Sequence, residues 1–440
     1  MRRREFLSLG AAAALAPARK PNVIVILADD LGYADVGFQG CKDIPTPNLD
    51  RLAASGVRFT NACVSHPFCS PTRAGLMTGR YQQRFGHENN PRYDPNDRVA
   101  GLPLKEITFP QVMKTAGYRT GIVGKWHLGA TPEFHPMRRG FDEMFGFIGG
   151  GHDYYKAEME GNPREYLIPI ERDGKPVVER AHLTDAFSRE ASAFVRRHRG
   201  DPFFLYLAYN APHTPLQPEE KWLARVKHIE DETRRKYAAM ICGVDDGVGR
   251  LMSTLRETGL ERDTLVFFLS DNGGPVAVTH SSNHPLRGAK GQVYEGGVRV
   301  PFVMRWTGTL PAGKVYSQQA ISLDILPTAA AVAGAQTPGI DGVNLLPHLS
   351  GKSAAPPHER LFFRRGGGEG WAVKESRYKL VKETGGEPQL FDLEKDIGET
   401  TDIGAAQPAV RDRLLRAYQQ WNRELIPPLF ESPRPAQKKK

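Results

Sequence analysis

Four stretches of this chain are apolar in continuous runs rather than at alternate positions: residues 22–28, 119–124, 202–208 and 264–270. Alternation would mark a strand with one wet face. A continuous run marks a strand covered on both faces, as in a parallel sheet between helices. Each run soon gives way to polar residues of a chemical kind: Asp29-Asp30, Lys125-Trp126-His127, Asn210-Ala211-Pro212-His213 and Asp271-Asn272. Open α/β sheets bind ligands beyond the carboxyl ends of their strands. One strand ending in an acid is an ordinary helix cap. Four ending in acids, amides, Lys and His point to a common site.

Between these runs the apolar spacing switches to three and four. Residues 46–56 read as a helix with a Thr cap, a Pro start and a Gly stop. Further helices are predicted over 110–116, 184–199, 232–257 and 322–333. In the fourth of these five, Tyr237, Met240, Ile241, Val244, Val248 and Leu251 form the apolar stripe, and Cys242 reads as a buried core thiol. Helices alternating with buried strands imply a large, mostly parallel sheet sandwiched by helices. The Pro/Ala/Ser-rich stretch 351–358 reads as a linker. Beyond it, short strands begin at Leu361, Trp371, Tyr378 and Gln389, and a helix over 408–425 aligns Val410, Leu414, Tyr418 and Trp421. The layout is an α/β domain over 19–350, a small C-terminal α+β subdomain of antiparallel strands over 359–426, and a Pro/Lys-rich tail, 427–440, expected to be disordered.

With 440 residues, 40% of them hydrophobic, the chain is long enough for one large core and a small one. The net charge of +9 is concentrated at the ends, two in the first five residues and four in the last seven. What remains is small, and no basic helix or aromatic-interleaved patch appears, so nucleic acid is excluded as a partner. The mild positive bias suits an anionic substrate. Cys41, Cys63, Cys69 and Cys242 are too few for a disulfide framework and have no zinc-ligand spacing. Whether Cys41 and Cys63 pair is left open by the sequence. Arg3-Arg4-Glu5-Phe6-Leu7 looks like a twin-arginine export motif, followed by an apolar stretch too short to span a bilayer and a small-residue site, Ala16-Pro17-Ala18. The reading is a signal peptide over 1–18, a mature chain starting near Arg19, a periplasmic or secreted location and no transmembrane anchor.

The most telling string is Cys69-Ser70-Pro71-Thr72-Arg73, running on to Gly79 and Arg80. Ser70 is a good N-cap, Pro71 suits the first helical position, and Gly79 suits the residue past the helix end. Cys69 then sits at the positive end of a short helix, where an anion is favoured. The C-x-P-x-R pentapeptide resembles the signature of the sulfatase family, in which this cysteine is oxidised to formylglycine by a formylglycine-generating enzyme. The other segments resemble the family's site segments in family order. Asp29-Asp30 looks like its opening pair of aspartates, and Gly124-Lys125-Trp126-His127-Leu128-Gly129 like its second signature. Asp271-Asn272-Gly273-Gly274 is similar to its second metal segment, and Leu286-Arg287-Gly288-Ala289-Lys290-Gly291 to its late lysine loop. The resemblance implies an alkaline-phosphatase-like fold and hydrolysis of sulfate esters.

It also implies roles. Asp29, Asp30, Asp271 and Asn272, with the modified Cys69, would hold a metal. An all-oxygen set selects a hard cation, calcium more readily than magnesium. Arg73 would hold the formylglycine, Lys125 and His127 would contact its hydroxyls and the sulfate, and His213 with Lys290 would flank the leaving oxygen. One hydroxyl of the aldehyde hydrate attacks sulfur while His213 or Lys290 protonates the departing alcohol. The second then loses its proton, to His127, and sulfate is expelled. A formylglycine-dependent phosphonate or phosphate ester hydrolase on the same fold, and a non-catalytic binder of sulfated glycans, are the alternatives. Substrate contacts are expected from loops, with His152, Asp153, His284 and Arg287 as candidates. Phe134-His135-Pro136 and Arg139-Gly140-Phe141-Asp142 resemble members that remove sulfate from hexosamine or galactose units, which implies an exo-acting enzyme on a sulfated carbohydrate.

Overall fold

The computed structural model describes residues 19–159, 163–337 and 339–431. The expected signal segment 1–18 lies outside them. Among the described residues the main sheet has ten strands, and the four expected runs are neighbours in it. Strands Thr264–Ser270, Asn22–Ala28, Phe203–Ala208 and Arg119–Lys125 lie side by side, all parallel. Val25 stands opposite Phe267 on one side and Tyr206 on the other. Every residue of Asn22–Ala28 is buried, which is why the run carries no polar alternation. Each buried Val, Ile or Leu contributes about 1.5–3 kcal/mol relative to exposure.

Outward from Arg119–Lys125 the sheet adds a parallel strand, Glu143–Phe147, and then two short antiparallel ones. On the other flank Phe302–Arg305 runs antiparallel to Thr264–Ser270. Helices cover the sheet in two groups. Pro47–Ala54 and Leu183–Arg197 pack on the long helix Glu232–Glu257, while Cys69–Thr78, Phe109–Thr115 and Ile325–Ala333 pack on one another.

The C-terminal strands Leu361–Arg365, Gly370–Lys374, Tyr378–Lys382 and Gln389–Asp392 form an antiparallel meander. Helix Pro408–Asn422 buries Leu414, Tyr418 and Trp421 against it, with Tyr418 stacked on Trp371 at 4.1 Å between ring centroids. This unit is clamped to the large domain. Lys374 and Lys379, both wholly buried, reach Glu295 at 2.6 and 3.0 Å, and Lys379 also reaches Glu399 at 3.1 Å. A buried charge is tolerated only when paired, so these ion pairs fix the segment around Glu295 and the lysine loop just before it.

Two expectations need correction. The tail does not come loose at Pro427: the Leu429 amide donates to the Gly86 carbonyl, Phe430 packs edge-on to His87, and Asn89 donates to the Phe430 carbonyl. The apolar Leu429 and Phe430 find a surface to cover, which composition alone does not reveal. Residues 432–440 lie outside the described ones. Secondly, Phe68, with extended backbone, is the N-cap, so the helix begins at Cys69 and Ser70 is already inside it. Gly79 closes that helix at φ +65, as expected.

Candidate active site

The four parallel strands all end at one edge, and their polar followers meet there. Asp29, Asp30, Cys69 and Asp271 each bring a ligand atom to within 4.8 Å of the others, and His213 closes a second such group with Asp29 and Cys69. Cys69 Sγ is 3.3 Å from Asp29 Oδ1. All four members of the first group are buried. Adjacent parallel strands place their ends only about 5 Å apart, so neighbours in the sheet become neighbours in the site.

Cations ring these acids. Lys125 Nζ lies 2.5 Å from Asp29 Oδ2, Arg73 Nη2 lies 2.7 Å from Asp271 Oδ2, and Lys290 Nζ lies 2.7 Å from Asp30 Oδ1. Arg73 also donates to the Lys125 carbonyl, so it braces the metal-type acids from below. His213 Nδ1 is 2.7 Å from the Thr214 carbonyl, leaving Nε2 turned toward Asp30 Oδ2 at 3.7 Å. A carbonyl only accepts, so Nδ1 carries the hydrogen and Nε2 the lone pair. Asp30 and His127 hold φ +68 and +60. Non-glycine residues rarely adopt this region, and such strain costs on the order of 1–3 kcal/mol where the surroundings enforce it.

The electrostatics follow from burial and charge. Burial, then Asp271 and Asp29, push the Cys69 thiol well above its ordinary value. Burial and repulsion from Asp29 raise Asp271 to about 6 against the pull of Arg73 and Lys125. Burial would raise Asp29 too, but Lys125, His213, Arg73 and Lys290 hold it below the usual carboxylate range. His127 is pushed well down by burial and by Lys125 and Arg73. For Lys290 burial works against the charge, yet Asp30 and its neighbours keep it well above its usual value.

A hard cation fits this donor set. Three carboxylates converge on one point, and the carbonyl oxygen of buried Asn272 has no hydrogen-bond donor among the described residues. An unsatisfied buried oxygen costs roughly 1–3 kcal/mol, and a divalent ion would satisfy it while relieving the repulsion that raises Asp271.

The proposed substrate contacts separate. His152 is buried, with its two ring nitrogens 2.6 and 2.7 Å from the carbonyls of Asp153 and Ile168, so its ring supports backbone. Asp153 accepts from Gln217 and from the amides of Tyr155 and Lys156. Arg287 donates to the Glu399 carbonyl and lies over the Tyr294 ring at 4.1 Å, facing the C-terminal unit. His284 is exposed. Glu165 and Tyr166, which carry no motif of their own, also lie beside His127 and His213. The signal that bears on them is Gly149-Gly150-Gly151. A Cβ on Gly150 would stand 2.7 Å from His127 Nε2 and 3.2 Å from Glu165 Oε1, and one on Gly151 would stand 2.5 Å from the Tyr166 ring. Three glycines in a row there mean that something lies close on top.

The sulfatase family model matches residues 21–335, and that of the N-sulphoglucosamine sulphohydrolase C-terminal region matches 289–420. Arylsulfatase A of Bos taurus is 36% identical over 477 residues, covering 97% of this chain and 91% of that protein. N-acetylgalactosamine-6-sulfatase of Homo sapiens is 36% identical over 384 residues, covering 81% and 70%. The crystal structure of Ps i-CgsB in complex with k-i-k-neocarrahexaose superposes with a TM-score of 0.89 at 40% identity, over 94% of this chain and 95% of that one.

Proposed function

The chain belongs to the sulfatase family and is a sulfuric ester hydrolase; we propose that it desulfates a carbohydrate, using a formylglycine made from Cys69 and a bound Ca²⁺. The observation that carries this is the seat of Cys69. Its Sγ lies 3.3 Å from Asp29 Oδ1 and shares one cluster with the carboxylates of Asp29, Asp30 and Asp271, so whatever nucleophile this residue bears sits beside the ion that would polarise the sulfate. Conversion by a formylglycine-generating enzyme would supply a hydrated aldehyde, with one hydroxyl to attack sulfur and a second whose deprotonation would release sulfate as the aldehyde re-forms.

Asp29, Asp30, Asp271 and Asn272 would hold the ion, and when bound it would polarise a sulfate oxygen. Lys125 and Arg73 supply positive charge from the strand end and the helix. His127, placed just past the end of the strand that carries Lys125, is the base assigned to take a proton. Of the two groups flanking the leaving oxygen, Lys290 holds its proton at rest, whereas neutral His213 presents a bare Nε2. We therefore assign the protonation of the alcohol to Lys290.

The carbohydrate reading is supported by the relatives named N-acetylgalactosamine-6-sulfatase and by the structure in complex with neocarrahexaose. Export rests on the twin-arginine string. No helix among the described residues is long and apolar enough to cross a membrane. Replacing Arg3 and Arg4 by Lys should hold the protein inside the cell.

The test is sulfate release from a panel of defined sulfated mono- and oligosaccharides beside aryl and alkyl sulfates, on protein whose Cys69 peptide has been weighed. Turnover of a saccharide by aldehyde-bearing protein is expected. Turnover confined to aryl or alkyl sulfates would remove the carbohydrate assignment.

A further inference from the structure

The segment from Glu165 to Ile168 lies along the triglycine run at the mouth of the site. The Asp153 amide donates to the Tyr166 carbonyl at 2.8 Å, and the buried His152 ring reaches the Ile168 carbonyl at 2.7 Å. The backbone bond from Asp153 therefore fastens this segment beside the triglycine run. The fastening sets two side chains over the catalytic groups. Glu165 faces His127 across Gly150. The Tyr166 ring lies 6.3 Å from that of His213, tilted by 31°, and Tyr166 remains 40% exposed. An aromatic face left open beside a catalytic histidine is unusual in a pocket otherwise built of charges, since burying it would gain free energy. Burial pushes the Glu165 carboxyl up while Arg92 and Lys125 pull it back. The Tyr166 hydroxyl is pushed up to about 12, by burial first and despite Lys290, so it stays a neutral donor.

We propose that Tyr166 and Glu165 select the sugar, Tyr166 offering its ring to the apolar face of the sulfated residue and Glu165 accepting from a free hydroxyl next to the sulfate. This deepens the carbohydrate assignment above and rests on it. Tyr166 lies beside His213, one of the two groups assigned above to flank the leaving oxygen. A carboxylate at the neighbouring position accepts a hydroxyl but repels a second sulfate, so the preferred substrate carries one sulfate with a hydroxyl beside it.

The experiment compares kcat/KM on the best saccharide sulfate of the panel with kcat/KM on a small alkyl sulfate that has no ring to stack. Tyr166→Ala should lower the ratio of the two by a few-fold to about tenfold, through KM, and Tyr166→Phe should restore most of it. Glu165→Gln should narrow the preference for a singly sulfated ring over one with a second, adjacent sulfate. If the parent enzyme turns over the saccharide but Tyr166→Ala lowers both rates equally, and Glu165→Gln leaves the preference unmoved, the selection role is wrong and the carbohydrate reading stands. If the parent turns over only the alkyl sulfate, the carbohydrate reading falls and this inference with it.

Discussion

Lys125 Nζ lies 2.5 Å from Asp29 Oδ2, and both side chains are wholly buried. The residues end strands that are not neighbours. Phe203–Ala208 runs between them, so the pair spans the end of the intervening strand and ties two edges of the site together. Lys125→Ala leaves a buried carboxylate without its closest partner. We expect a loss of roughly 3–5 kcal/mol in metal-free protein, smaller when calcium is present to neutralise Asp29. Denaturant unfolding with and without calcium checks this; an equal loss in both conditions would place Asp29 outside the ion site.

Cys69→Ala should abolish sulfate-ester hydrolysis without unfolding the protein, because the helix Cys69–Thr78 is held by Arg73 and by packing along its whole length. The peptide mass of the parent should show an aldehyde at position 69. Near-parent turnover by a well-folded Cys69→Ala protein would overturn the mechanism.

Chelation should remove activity, and calcium should restore it. At free calcium about 100 times its dissociation constant the folded state gains about 2.7 kcal/mol, so the thermal midpoint should rise on addition. Asn272→Ala should weaken that rise. Stoichiometric zinc that tracks activity would contradict the oxygen-ligand reading.

If Lys290 protonates the leaving oxygen, its loss should matter most where the alcohol leaves poorly. Lys290→Ala is expected to cut kcat on an alkyl or sugar sulfate at least tenfold more than on a nitrophenyl sulfate. Equal cuts would reassign the proton to His213.

His87 is buried between Ser70 Oγ and the Gly101 carbonyl, and burial pushes it down to about 4. An unfolded histidine titrates near 6.5. Below that value the unfolded chain takes a proton that the folded one refuses, so stability falls as pH drops from about 6.5 to 4. The loss from this group is about 2 kcal/mol by pH 5. His87→Asn, which keeps a donor for the Gly101 carbonyl, should remove that loss, leaving the unfolding free energy flatter between about pH 6.5 and 5.

Much of this was legible in order along the chain. Continuous apolar runs determined which strands are central, because a strand covered on both faces has no polar position to spare. The residues just after them determined the site's chemistry, since a parallel sheet sends every such end to one edge. Asp29, Asp30, Lys125, His127, His213 and Asp271 were all readable in this way, and the C-terminal strands were marked by their turns.

What periodicity could not carry was decided by tertiary packing. His152 looks like a substrate contact because a His-Asp-Tyr-Tyr string after glycines is chemically rich, yet its buried ring faces two backbone carbonyls, one of them sixteen residues away. Glu165 and Tyr166 had no signal of their own and acquire their place from the backbone bond between Asp153 and Tyr166. The tail at Leu429 looked polar and free but found Gly86. Local pattern reports which face of an element is apolar; which distant segment comes to lie on it depends on how strands far apart in sequence are ordered in the sheet, and only the folded chain expresses that order.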